Sequence, residues 1–129
     1  MSQQLLLLVV EDDPFILQIY KTKLTKESFE VVVAKDGKEA MNLLKNRTPS
    51  LVLLDLIMPN MDGFEVLQRM NQDNRLKSIP VIVLTNLAQE SDKKRALDLG
   101  AKAFIVKSDT TLAFIVDLIH QLTKSTQST

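Results

Sequence analysis

The chain of 129 residues contains no cysteine, which excludes disulfide bonds, thiolate metal sites and cysteine nucleophiles. This absence fits a reducing compartment, and we expect a cytoplasmic location. Neither charge is in excess, since 16 Lys and Arg balance 16 Asp and Glu, so we expect no direct nucleic-acid binding. The longest apolar run, residues 5–10, is too short for a membrane span or a secretory signal. We therefore expect no membrane association.

The composition is that of one globular domain. Hydrophobic residues make up 45% of the chain and charged residues 25%, both near the averages for folded proteins. A chain of this length can bury a single core. We expect the domain to span residues 1–123, with the polar segment 124–129 forming a C-terminal tail or the start of a linker.

Five short apolar runs alternate with segments of helical spacing. The runs are rich in Val, Ile and Leu without polar alternation, which is typical of parallel strands covered on both faces; they are residues 5–10, 31–34, 51–54, 81–84 and 103–106. Right-handed crossovers then favour an α/β fold with a doubly wound five-stranded parallel sheet, flavodoxin-like, in the strand order 2-1-3-4-5. Eight units would be needed for a TIM barrel.

Polar side chains follow four of the five runs. Glu11, Asp12 and Asp13 follow the first, Asp55 the third, Thr85 the fourth and Lys107 the fifth. Ligands of such sheets bind at the carboxyl ends of the strands, and neighbouring strands lie only about 4.8 Å apart. Asp12 and Asp55 would then repel each other unless a cation or a proton intervenes. Oxygen ligands favour Mg²⁺, and the added lysine and hydroxyl suit a phosphoryl group.

Each of these residues also has a simpler explanation when taken alone. Asp13 and Asp36 are better explained as helix N-caps or turn residues. Thr85 could merely end a strand, and Lys107 could be a solvated charge. The occurrence of acids, a hydroxyl and an ammonium at the ends of four of the five strands favours a common site.

Four segments give the chain a resemblance to a known family over residues 4–122. They read LVVEDDP (residues 8–14), LVLLDLIMPNMDG (51–63), PVIVLT (80–85) and GAKAFIVK (100–107). In this order they resemble the receiver domain of bacterial two-component response regulators. The resemblance implies a phosphorylation-driven signalling switch with no turnover of an external substrate.

The resemblance also implies a role for each site residue. Asp55 would be the phosphoacceptor, and Glu11 and Asp12 would hold Mg²⁺ with it, Mn²⁺ being able to substitute. The backbone carbonyl of Ile57 would be a further ligand. Lys107 would pair with a phosphoryl oxygen, Thr85 would follow the phosphate with its hydroxyl, and the rotamer of Phe104 would report the switch.

Two residues depart from the pattern that is usual in the family, and two others bear on the lifetime of the phosphoryl group. Ser108 stands where proline usually follows the lysine, so we expect a trans peptide bond there, because a cis bond without proline costs about 3 kcal/mol. Asn86 stands where a small residue is common after the threonine. Ile57 and Leu87 are apolar and cannot orient an attacking water. We therefore expect self-dephosphorylation to be slow compared with receivers that carry Asn or Glu at these two positions.

The partners implied are a sensor histidine kinase or phosphotransfer protein, and a downstream protein target or a fused output domain. The output surface would surround the fourth helix, fifth strand and fifth helix. Phe114 lies off the apolar arc of the last helix, and we expect it, with Leu118, to mark a partner surface or that of a phosphorylation-dependent homodimer.

Two other functions compete with the receiver interpretation. The first is a Mg²⁺-dependent phosphatase or phosphotransferase with Asp55 as nucleophile. Such enzymes carry a second Asp two residues after the first, where this chain has Ile57. The second is a flavodoxin-like cofactor binder, which would need a phosphate loop where this chain has acids.

Overall fold

Ten regular elements alternate in the computed structural model, which describes residues 4–127. The strands are β1 (Leu6–Val10), β2 (Glu30–Ala34), β3 (Leu51–Leu54), β4 (Val81–Thr85) and β5 (Ala103–Val106). The helices are α1 (Pro14–Lys26), α2 (Gly37–Asn46), α3 (Gly63–Asn71), α4 (Glu90–Asp98) and α5 (Leu112–Gln127). All strand pairs are parallel, and the order is β2-β1-β3-β4-β5. The predicted fold class and strand order are therefore confirmed.

The sheet separates two hydrophobic clusters, as a doubly wound sheet requires. Alternate side chains of each strand point to opposite faces. On one face Leu8 and Leu54 pack with apolar residues of α2, α3 and α4. On the other, Leu7 and Leu53 pack with residues of α1 and α5. Strands buried on both faces explain why the runs carry no polar alternation.

The helix boundaries follow local signals in the sequence. Asp13 caps α1 by accepting hydrogen bonds from the backbone N–H groups of Phe15 and Ile16 at 2.9 and 3.2 Å, and Pro14 occupies the first turn. Asp36 caps α2 by accepting from the N–H of Glu39 at 2.8 Å. The expected cap roles of Asp13 and Asp36 are both present, and each satisfies backbone donors that a helix leaves unpaired.

A few boundaries differ from those expected. β4 includes Thr85, which pairs with Val106, and β2 begins one residue earlier, at Glu30. A single 3₁₀ turn, Lys107–Asp109, follows β5, and no proline or glycine signals it. α5 continues through Gln127 into the segment 124–129, whose last two residues lie outside the described residues. Within residues 4–127, none of the helices is both long and apolar enough to cross a membrane.

Candidate functional site

Three carboxylates meet at the carboxyl edge of the sheet. β1 lies beside β3 with Val10 opposite Leu54, so the residues that follow the two strands are neighbours. Glu11, Asp12 and Asp55 each offer an oxygen atom, and these three atoms all lie within 4.8 Å of one another. Glu11 is 3% exposed and Asp55 6%, whereas Asp12 is open to solvent.

Backbone hydrogen bonds fix two of these acids beyond the ends of their strands. The Glu11 N–H donates to the carbonyl of Ala34 at 3.0 Å, and the Asp55 N–H donates to that of Val10 at 3.1 Å. The side chains are held as well: Glu11 Oε2 accepts from the Asp13 N–H at 3.1 Å, and Asp55 Oδ1 accepts from the Leu56 N–H at 2.7 Å. The acids are thus oriented by the fold itself.

Lys107 joins the group from the end of β5. Its Nζ donates to Asp55 Oδ2 at 2.8 Å and also to Glu11 Oε1, and its side chain is 11% exposed. Burial alone lowers the pKa of Lys107, but the hydrogen bonds to Asp55 and Glu11 outweigh it, so the pKa is raised. Burial raises the pKa of Glu11, and the bonds from Lys107 and the Asp13 N–H only partly offset that effect.

The site is therefore a partly buried group of three acids and one lysine. One ammonium cannot neutralise three carboxylates, so the ionised group carries a negative charge that favours a cation. The donors are all oxygens, which suits Mg²⁺ or Mn²⁺ and does not suit metals that prefer sulfur. The exposed Asp12 leaves one side of the group open to solvent for a ligand and its waters.

Thr85 ends β4 at the same edge of the parallel sheet. Thr85 is 0% exposed, and its hydroxyl oxygen accepts from the Leu87 N–H at 3.3 Å. Leu87 packs against the core, whereas Asn86 is exposed. Asn86 also lines a surface cleft of about 350 Å³ with Lys107 and Ser108.

The remaining predicted residues lie in the loops after β3 and β5, on β5 itself and on α5. Ile57 is exposed, Ser108 is exposed in the 3₁₀ turn, and the described chain contains no cis peptide bond, so the expected trans bond before Ser108 is present. Phe104 is half-buried and lines a cleft of about 500 Å³ together with Phe114. Phe114 is 54% exposed, but Leu118 packs against the core.

Sequence reasoning missed one residue close to the site. Asn60 lies in the loop between β3 and α3, and its Nδ2 donates to Asp36 Oδ2 at 2.8 Å. Its φ of 69° lies in the left-handed region, which asparagine tolerates better than most residues. Proline followed by asparagine signals a turn, but nothing in the sequence pairs residue 60 with residue 36.

Comparisons with known proteins identify one family. The family model of the response regulator receiver domain matches residues 7–117. A probable transcriptional regulator ycf27 of Porphyridium aerugineum is 40% identical over 101 residues, which are 78% of this chain and 41% of the relative. The chain thus spans about two fifths of the length of that relative.

Two solved structures have the same architecture. The receiver domain of the Francisella response regulator 1452 is 29% identical, with a TM-score of 0.88 over 95% of this chain and 99% of that one. The phosphorylated cyanobacterial phytochrome response regulator RcpA is 31% identical, with a TM-score of 0.80 over 92% of this chain and 91% of that one.

Proposed function

The chain belongs to the family of response regulator receiver domains, and we propose that it is switched by phosphorylation of Asp55. The observation that carries this proposal is the meeting of Asp55 with two further acids and with the ammonium of Lys107 at the edge where β1 and β3 end. The solved structure of RcpA, which is 31% identical to this chain, is of a phosphorylated protein, and this supports phosphorylation as the switch.

The two oxygens of Asp55 have different surroundings, which assigns them different roles. Oδ1 accepts the N–H groups of Leu56 and Ile57 at 2.7 and 3.3 Å, so it is fixed by the backbone. Oδ2 faces Lys107, the cation that can follow a phosphoryl oxygen. Oδ2 is therefore the nucleophile: it attacks the phosphorus of a phosphohistidine, the O–P bond forms, and the P–N bond breaks with its electron pair returning to the imidazole.

Glu11, Asp12 and Asp55 would hold Mg²⁺, for which Mn²⁺ can substitute, with the backbone carbonyl of Ile57 as a further ligand. When bound, the ion offsets negative charge on the phosphoryl oxygens. Lys107 contributes a second positive charge, which its raised pKa keeps in place. The protein thus promotes its own phosphorylation by position and charge, as is general for phosphoryl transfer.

The switch would run from Thr85 to the surface of α4, β5 and α5. Thr85, at the carboxyl end of β4, is fully buried, and its hydroxyl, whose oxygen accepts from the Leu87 N–H, can donate its own proton to a phosphoryl oxygen. Phe104, half-buried at the cleft that Phe114 also lines, would change rotamer in response. A phosphoryl group must favour one state by about 5.5 kcal/mol to move the equilibrium from 1:99 to 99:1, which several charge-assisted hydrogen bonds can supply.

The partners follow from this chemistry. A sensor histidine kinase or phosphotransfer protein supplies the phosphoryl group, and a downstream protein or a fused output domain binds the switched surface. Because the relative named as a transcriptional regulator is longer than this chain, a fused output domain fits the proposal.

Mass spectrometry tests the acceptor directly. The protein is incubated with Mg²⁺ and acetyl phosphate, and the intact mass of the wild type is compared with that of Asp55→Ala and Asp109→Ala, the latter an exposed acid in the 3₁₀ turn. We expect the wild type and Asp109→Ala to gain one phosphoryl group and Asp55→Ala to gain none. A gain that persists in Asp55→Ala, or its absence from the wild type, would contradict the proposal.

A further inference from the structure

The two ends of the loop between β3 and α3 are held by hydrogen bonds between residues 55, 56 and 63. At its start, Asp55 Oδ1 accepts from the N–H of Leu56 at 2.7 Å. At its end, the N–H of Gly63 donates to the carbonyl of Leu56 at 3.0 Å. A β-carbon at Gly63 would lie 2.3 Å from the carbonyl oxygen of Asp55, so the end of the loop is packed directly against the proposed acceptor residue.

The middle of the same loop is held from outside, by the turn that begins α2. Asn60 Nδ2 donates to Asp36 Oδ2 at 2.8 Å, and the N–H of Gly37 donates to the carbonyl of Met61 at 3.2 Å. Asp36 is buried, and its other oxygen caps α2 through the N–H of Glu39. One carboxylate therefore joins the start of α2 to the centre of the loop.

The contact between the two segments leaves no room for a side chain at residue 37. A β-carbon at Gly37 would lie 2.3 Å from the carbonyl oxygen of Met61 and 2.8 Å from a methyl group of Val66. Asn60 reaches Asp36 from a left-handed backbone conformation, which costs energy unless surrounding contacts support it. The Asn60–Asp36 hydrogen bond is such a contact, because its acceptor is a buried carboxylate.

We propose that Asn60 and Asp36 are positioning residues of the metal site, which hold the β3–α3 loop so that Asp55 and the Ile57 carbonyl keep the orientation needed to bind a divalent cation. This inference rests on the proposed function. The side chains touch neither the cation nor the phosphoryl group; they act through the loop that carries two of the expected ligands. Outer partners of this kind commonly change metal affinity about 10- to 100-fold when mutated.

The test measures Mg²⁺ affinity separately from stability. Isothermal titration calorimetry with MgCl₂ gives the Kd, and thermal unfolding in EDTA gives the Tm. Asn60→Gly removes the amide but allows the left-handed backbone. The double variant Asn60→Asp with Asp36→Asn exchanges the amide and the carboxylate without changing the net charge, and the amide still offers an oxygen to cap α2. Ser28→Gly, at the other non-glycine residue with positive φ (72°) among residues 4–127, is the matched control.

We expect the Mg²⁺ Kd to rise about tenfold in Asn60→Gly, to return close to the wild-type value in the double variant, and to stay unchanged in Ser28→Gly. An unchanged Kd in Asn60→Gly, with or without a lower Tm, would show that the contact is only structural and overturn the inference. A double variant as weak as Asn60→Gly would overturn it too. If the wild type itself binds no Mg²⁺, the proposed function fails first.

Discussion

Removal of the Lys107 ammonium should destabilise the metal-free protein, because it leaves two buried carboxylates without their common partner. In Lys107→Met the side chain keeps nearly the same length, but Glu11 and Asp55, which are 3% and 6% exposed, lose their bonds to Nζ. Breaking a buried pair by removing one partner costs about 3 to 5 kcal/mol. We expect the lower end of this range, about 3 kcal/mol. The neighbouring Asp12 is open to solvent, so water on that side can partly solvate the carboxylates that lose the ammonium.

The loss should depend on pH with a definite sign. Burial already raises the pKa of Glu11 in the folded protein, and losing Lys107 raises it further. A carboxyl group whose pKa is higher in the folded than in the unfolded state gives up stability as the pH rises through that range. The difference in unfolding free energy between wild type and Lys107→Met should therefore grow between about pH 5 and about pH 8.

Urea denaturation in EDTA and in MgCl₂ measures both effects. Mg²⁺ should stabilise the variant at least as much as the wild type, by about 2.7 kcal/mol at a hundred times Kd, because the lysine no longer competes for the acids. Lys94→Met is the matched control: its ion pair with Asp98 is exposed, so its loss should change stability little. Equal stability of Lys107→Met and wild type in EDTA at about pH 8 would refute the reasoning.

Two further predictions concern the phosphorylated state. Asn and Glu can orient a water where two apolar side chains now stand, so Ile57→Asn with Leu87→Glu should speed phosphate loss about 100-fold; an unchanged decay of the phosphorylated mass would contradict this. Phe114→Asp should leave the Tm unchanged, because the ring is exposed, yet it should weaken association after phosphorylation. Association is measured by size-exclusion chromatography with light scattering and by partner binding. The same mass and the same partner binding for phosphorylated wild type and variant would reject Phe114 as a contact.

The fold could be predicted from the sequence because the apolar pattern of the strands and the local signals at the helix ends point to the same architecture. Strands such as Leu51–Leu54 are apolar on both faces, which requires helices on both sides of the sheet. Asp13 and Asp36 mark two helix starts by local bonds alone. The 3₁₀ turn Lys107–Asp109 could not be predicted, because the bonds that hold Lys107 reach Glu11, which lies 96 positions away in the chain.

Part of the candidate site could likewise be predicted from the sequence, and part could not. The positions of the acids follow from strand order, since residues after β1 and β3 must meet once those strands pair. The hydrogen bond from Asn60 to Asp36 does not follow from strand order, because neither residue directly follows β1 or β3. Leu118 shows the same limit: helical spacing places it near Phe114, but only the packing shows that its side chain lies against the core.

The charges of the three carboxylates and of Lys107 link the geometry of the site to the proposed switch. The whole chain is neutral, so the attraction for a cation is local to the three carboxylates at the sheet edge. Lys107 holds Glu11 and Asp55 together, which keeps the site assembled at the cost of occupying Asp55 Oδ2. In the proposed function the acids would hold Mg²⁺, and the Lys107 ammonium would then be able to pair with the phosphoryl group. The same lysine can thus stabilise the resting site and contact the modified one.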